Sequence, residues 1–148
     1  MNLFGMLDVS GSAMTAERQR AEVVASNMAN AETTRTPEGG PYQRKLVVFQ
    51  SGAAQRFPRL LNAMCRPNAQ NSTEGVNVAA VVADPSPPQM RYEPSHPDAN
   101  AQGYVAYPNV EPVREMVDLL GAVRAYEMNS SAVQAAKQMI QQSLEIVK

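Results

Sequence analysis

His96 is the only histidine in the 148-residue chain, and Asp98 follows two positions later in PSHPDAN. A histidine near a carboxylate is the pairing that acid–base catalysis or a metal site would use. Either chemistry needs partners that this chain does not supply. There is no second histidine, and the single cysteine, Cys65, has neither a flanking glycine motif nor a helix-start signal that would activate its thiol. A small hydrolase using Cys65 and His96 therefore stands as a weak alternative, and a polar turn accounts for PSHPDAN. Arg56, Arg59 and Arg66, with Phe57, could meet phosphate. However, 13 basic residues are balanced by 14 acidic ones, for a net charge of −1, which argues against nucleic acid as a partner. PEGGP, at 37–41, lacks the spacing of a phosphate-binding loop. The residues point to no catalytic constellation, no cofactor, no metal and no small-molecule substrate.

The elements that would position these residues are set by proline. All eleven prolines fall between Pro37 and Pro112. Two helix-permissive ends, 1–31 and 113–148, thus flank a proline-rich middle, 32–112, and the expected division is a terminal helical assembly domain around a β-rich middle domain with long loops. Tryptophan is absent and nine methionines are present, so helix packing through Ala, Met, Leu and Val is expected. One cysteine cannot make an internal disulfide. No segment reaches the ~18 apolar residues of a membrane span. The N-terminus has no basic region ahead of its apolar residues, so an exported chain would need a route other than a cleaved signal peptide.

In the first end, Leu7, Met14, Ala21, Val24, Met28 and Ala31 follow a seven-residue spacing, with Ser10 and Glu17 filling the stripe. Gly5 and Gly11 each cost ~1 kcal/mol against alanine in a helix, which predicts firm helix from about residue 10 and a frayed beginning. In the second end, Met116, Leu120, Val123, Tyr126, Val133, Ile140, Leu144 and Val147 recur at helical steps. Arg114, Asp118, Gln134, Gln138, Gln141 and Glu145 occupy the opposite face. Asn109 is placed to cap this helix, with Pro112 in its first turn. Between the ends, 42–49, 75–83, 89–93 and 103–107 read as strands, and 51–70 is ambiguous. The fold class is α+β, with the terminal helices paired as a coiled-coil-like α-hairpin.

Two rods of ~45–50 Å cannot be covered by a middle of about 80 residues. Neighbouring copies or related chains must supply the missing contacts, and the ends are expected to be poorly ordered before assembly. Asn27 and Asn30, just before the first helix ends, have two readings. They are polar residues on the outer face of a fraying end, or register markers in a subunit interface.

These residues carry a resemblance. ASNMANAETTRTPEGGPYQRKLVVF, at 25–49, resembles the N-terminal signature of bacterial flagellar rod and hook (axial) proteins, a helix ending in SNxAN followed by a turn, an aromatic and a short strand. Within that family, AETTRTPEGGPY is similar to the proximal-rod members. DPSPP, YEPSHPDANAQGYVAYPNV and EMVDLLGAVRAYEMN agree in order and position, so the likeness covers 23–49 and 84–129. It places Ser26, Asn27, Ala29 and Asn30 on the first motif and Arg124, Tyr126, Glu127 and Asn129 on the second. Met28 departs from the usual Leu, and Met128 from the common Ala. The resemblance implies a non-enzymatic structural subunit of the basal-body rod in the cell envelope, assembled into a helical tube that transmits torque. It also implies delivery by the flagellar type III export apparatus. The implied partners are self-copies, other rod proteins and the rod–export gate junction protein. Another secreted tubular assembly and a soluble coiled-coil adaptor are the alternatives.

Overall fold

The computed structural model describes residues 3–52 and 75–146. The order is α1 (Leu3–Ala29), β1 (Lys45–Ser51), β2 (Val76–Ala83), β3 (Gln89–Tyr92), β4 (Tyr104–Tyr107) and α2 (Pro112–Ile146). This is α+β, two long helices with two small sheets. The ambiguous stretch within 51–70, with Cys65, Arg56, Arg59, Arg66 and Phe57, lies largely or wholly outside the described residues, as does Val147. No helix among the described residues is long and apolar enough to cross a membrane.

α1 starts at Leu3 rather than near residue 10. The glycine penalty is a weak prior that tertiary context overrides, and Gly5 is itself buried. α2 begins at Pro112, whose fixed φ and missing N–H suit the first helical position. Asn109 does not cap it; the Asn109 Oδ1 accepts instead from Gln89 Nε2 at 3.1 Å.

β3 starts at Gln89 as expected, β2 and β4 one residue later than their apolar runs suggest, and β1 three residues later, where Tyr42 to Arg44 are diverted into side-chain contacts described below. β1 pairs with β2. The Asp84 N–H donates to Arg44 O at one end and the Gly52 N–H to Gly75 O at the other, so the two strands run in opposite directions. β3 pairs antiparallel with β4, from Gln89 opposite Tyr107 to Tyr92 opposite Tyr104. The connection between them is built by Asn100, whose Oδ1 accepts the N–H groups of Gln102 and Tyr104 at 2.9 Å each. It closes at Gly103, with φ near +80°, where a Cβ would stand 2.8 Å from the Tyr92 ring. Glycine is required there on both counts.

The chain separates into two compact units. One comprises Met1–Gln19, Phe49–Ala79 and Ala122–Lys148, the other Arg20–Val48 and Ala80–Gly121. These units follow contacts, whereas the division at 31/32 and 112/113 follows proline and concerns assembly. In the first unit the buried described residues are small: Ser10, Ala16, Ala122 and Ala136, with Gly5. In the second they are Val24, Asn27, Val105, Val110 and Glu115, with Pro108. Methionine does not fill the described cores. Met90, Met116, Met128 and Met139 are all exposed, because each lies on an outward face of its strand or helix.

Candidate functional site

The second unit is organised around Asn27. α1 delivers this residue in its last turn, and it is 1% exposed. The Nδ2 donates to Lys45 O at 2.9 Å and to Glu115 Oε2 at 3.0 Å. The Oδ1 accepts from the Lys45 N–H at 2.9 Å and from the Tyr42 hydroxyl at 3.0 Å. The carboxamide thus reads both the N–H and the C=O of Lys45, as a neighbouring strand would, at the first residue of β1. Its orientation is fixed by chemistry, because Lys45 N–H can only donate and Lys45 O can only accept.

Glu115, in the first turn of α2, is fully buried. Its Oε1 accepts from Arg44 Nε at 2.6 Å, and its Oε2 takes the Asn27 amide. Arg44 is also ion-paired with Asp118 Oδ2 at 3.5 Å and Asp84 Oδ2 at 3.9 Å. Asp118 meets Arg20 Nη2 at 3.3 Å. Asp118, expected on the polar outer face, is therefore half-buried and paired. Asp84 is held below its ordinary pKa, first by the hydroxyl of Ser86 and then by the Ser86 N–H, with Arg44 adding a smaller pull against desolvation. A buried carboxylate is tolerable only when its oxygens are occupied, and those of Glu115 are.

The remaining motif residues have more local roles. Asn30 Nδ2 donates to Ser26 O at 2.9 Å, and the Asn30 N–H donates to the same carbonyl at 3.1 Å, at the helix end. Asn30 Oδ1 accepts from the Thr33 hydroxyl at 3.2 Å. The two asparagines thus divide: Asn27 faces inward and joins three segments, and Asn30 finishes the helix. Neither is a polar residue on an exposed outer face. Ser26 Oγ lies 3.4 Å from the Tyr42 hydroxyl, and Ala29 is exposed. After α1 the chain turns at PEGGP, where Gly39 and Gly40 both have positive φ and the Thr36 N–H reaches Gly40 O at 2.9 Å. The Thr34 hydroxyl donates to Asp98 Oδ2 at 2.9 Å, anchoring this loop to the β3–β4 connection. His96 serves the same connection, its Nδ1 accepting the Asp98 N–H at 3.1 Å. In the second motif, Asn129 Nδ2 donates to Ala125 O at 2.8 Å, while Arg124, Tyr126 and Glu127 are exposed.

The expected stripes divide as well. Along α1, Leu7, Met14, Ala21 and Met28 are half-buried beside the buried Ser10 and Val24. Along α2 the most covered line is Glu115, Ala122, Asn129 and Ala136, at seven-residue steps, with Val133 and Ile140 half-buried near it. Met116, Leu120, Val123, Tyr126 and Leu144 are exposed, as are Val113 and Val117. Sequence reasoning missed Glu115, Arg44 and Tyr42, because the polar partners that give them their roles lie far apart in sequence, 71 residues for Arg44 and Glu115 and 88 for Asn27 and Glu115. The seven-residue recurrence of 115, 122, 129 and 136 was the available signal. Among the described residues no cluster of His, Cys, Asp and Glu could hold a metal ion. The acids at the junction are engaged by arginines, so what this arrangement does is hold three segments together.

Comparison with known proteins gives two family models. "Flagella basal body rod protein" matches residues 7–35, and "Flagellar basal body rod FlgEFG protein C-terminal" matches 101–146. Among similar proteins, the flagellar basal-body rod protein FlgC of Bacillus subtilis (strain 168) is 45% identical, covering all of both chains. The FlgC of Borreliella burgdorferi is 38% identical over 100% of this chain and 99% of its own. The FlgC of Salmonella typhimurium (strain LT2) is 38% identical over 99% and 98%.

Proposed function

We propose, from the premise that this chain belongs to the FlgC family of flagellar basal-body rod proteins, that its two long helices are the parts that join it to neighbouring subunits. The chain is a structural subunit of the basal-body rod and assembles with other basal-body components. The reading extends this to the proximal rod, to self-copies and other rod proteins as neighbours, and to the rod–export gate junction protein beneath them. It includes delivery by the flagellar type III apparatus without a cleaved signal peptide, and no enzymatic activity.

The observation that carries this reading is the outward face of α2. Val113, Met116, Val117 and Leu120 stand at i, i+3, i+4 and i+7, the spacing of one helical stripe, and each is more than half exposed. Farther along, Val123, Met128 and Leu144 are exposed too. A helix of 35 residues, spanning roughly 50 Å, gains most of its stability from covering such a face. Contact with unlike patches on successive neighbours gives an open helical array. Laterally packed helices supply the stiffness that torque transmission needs. The outer portion, 32–112, then projects from the terminal helical assembly domain formed by 1–31 and 113–148, whose helices pair as a coiled-coil-like hairpin. Leu7, Met14, Ala21, Val24 and Met28 line that packing with Val133 and Ile140, whereas Met116, Leu120, Val123, Tyr126 and Leu144 are the assembly residues left for neighbouring subunits.

Deletion of the gene, with an epitope-tagged copy supplied from a plasmid, tests the reading. Basal bodies isolated from complemented cells contain the tagged chain and complete rods, and those from the deletion strain lack rods. Complete rods in the deletion strain would overturn it.

A further inference from the structure

We propose that the Asn27–Tyr42–Arg44–Glu115 network is a self-ordering latch. It locks the end of α1, the start of β1 and the first turn of α2 together in the single chain, before any neighbour is bound. Every hydrogen-bonding position of the Asn27 carboxamide is filled from within the chain, and both oxygens of the buried Glu115 are filled by Arg44 and Asn27. The partners lie 18 and 88 residues from Asn27 in sequence. No two of the three segments satisfy the network. Without α2, the Asn27 amide and Arg44 lose their shared carboxylate. Without α1, Glu115 keeps one buried oxygen unfilled and Lys45 loses both of its side-chain partners. Partial closure therefore leaves buried polar groups unpaired, which makes closure cooperative. This corner of the chain is ordered before assembly, in contrast to the disorder that two uncovered terminal helices suggest. The inference rests on contacts within one chain and does not depend on the rod reading, so the two fail separately.

The discriminating variant is Asn27→Asp. It is nearly isosteric, but it places a carboxylate oxygen where the Nδ2 now donates, against Lys45 O and Glu115 Oε2. On an exposed helix end this change would be mild, and Asn27→Ala would be no better tolerated. In the latch, Asn27→Asp is the worse of the two, and Glu115→Gln added to Asn27→Asp restores a donor opposite the new carboxylate.

Hydrogen exchange read by mass spectrometry on the purified full-length monomer tests this. In the wild-type chain, amides in 28–30, at Lys45 and in 115–118 are protected. In Asn27→Asp, protection falls about tenfold or more in all three segments together, and the double variant recovers part of it in all three. Tyr42→Phe removes one bond only and gives the same linked pattern at smaller amplitude, so the test stands even where Asn27→Asp fails to fold. Loss confined to 26–30 would overturn the latch, as would equal effects of Asp and Ala at position 27 or an unprotected wild-type corner.

Discussion

Arg44→Met destabilises the chain by about 3–5 kcal/mol, the cost of leaving a buried carboxylate without its cation. Denaturant unfolding reads this as a lowered midpoint at unchanged slope. The magnitude follows from Glu115, whose side chain is 1% exposed and 2.6 Å from the guanidinium. A surface ion pair would be worth about 0–1 kcal/mol, so the size of the effect separates a buried junction from a decorative one. Adding Glu115→Leu to Arg44→Met recovers much of the loss, because the remaining charge goes with its partner. A midpoint within experimental error of the wild type would show that Glu115 is solvated and that the junction does not form.

Leu120→Asp and Val123→Asp each abolish entry into the rod while leaving the single chain folded. Both residues are exposed, so a carboxylate there costs the monomer little. In an assembled interface the same charge would be buried without a partner. The expected result is a chain that is made and delivered, with wild-type circular dichroism, in cells that do not swim. Normal swimming and rod assembly in both variants would contradict the assigned face. Ile140→Asp, on the same helical stripe, is less informative. Ile140 is half-buried, so a charge there disturbs the chain's own packing as well.

Much of the architecture is legible from proline placement and periodicity. The confinement of proline to 37–112 separates the two helices, and β-branched runs locate the four strands to within a few residues. Two features are less legible, for physical reasons. The start of α1 extends past two glycines because tertiary context outweighs propensity. The junction is hidden because its members are neither apolar nor adjacent in sequence. Asn27 and Glu115 are 88 residues apart, and nothing local marks them as partners. The motif around Asn27 is legible as a motif, but neither an outer-face polar residue nor a register marker in a subunit interface describes a carboxamide that is buried and filled from within the chain. Periodicity alone reads the apolar stripe of α2 as one set. The structure separates it into residues beside the chain's own buried line, such as Val133 and Ile140, and residues such as Leu120 and Val123 that nothing within the chain covers.

A cryo-electron microscopy map of isolated basal bodies from the complemented strain tests the central claim most directly. The account predicts that both terminal helices of this chain lie in the rod wall, with Val113, Met116, Val117 and Leu120 against a neighbouring subunit. A map in which that face points to solvent, or in which the chain is absent from the rod, would contradict it.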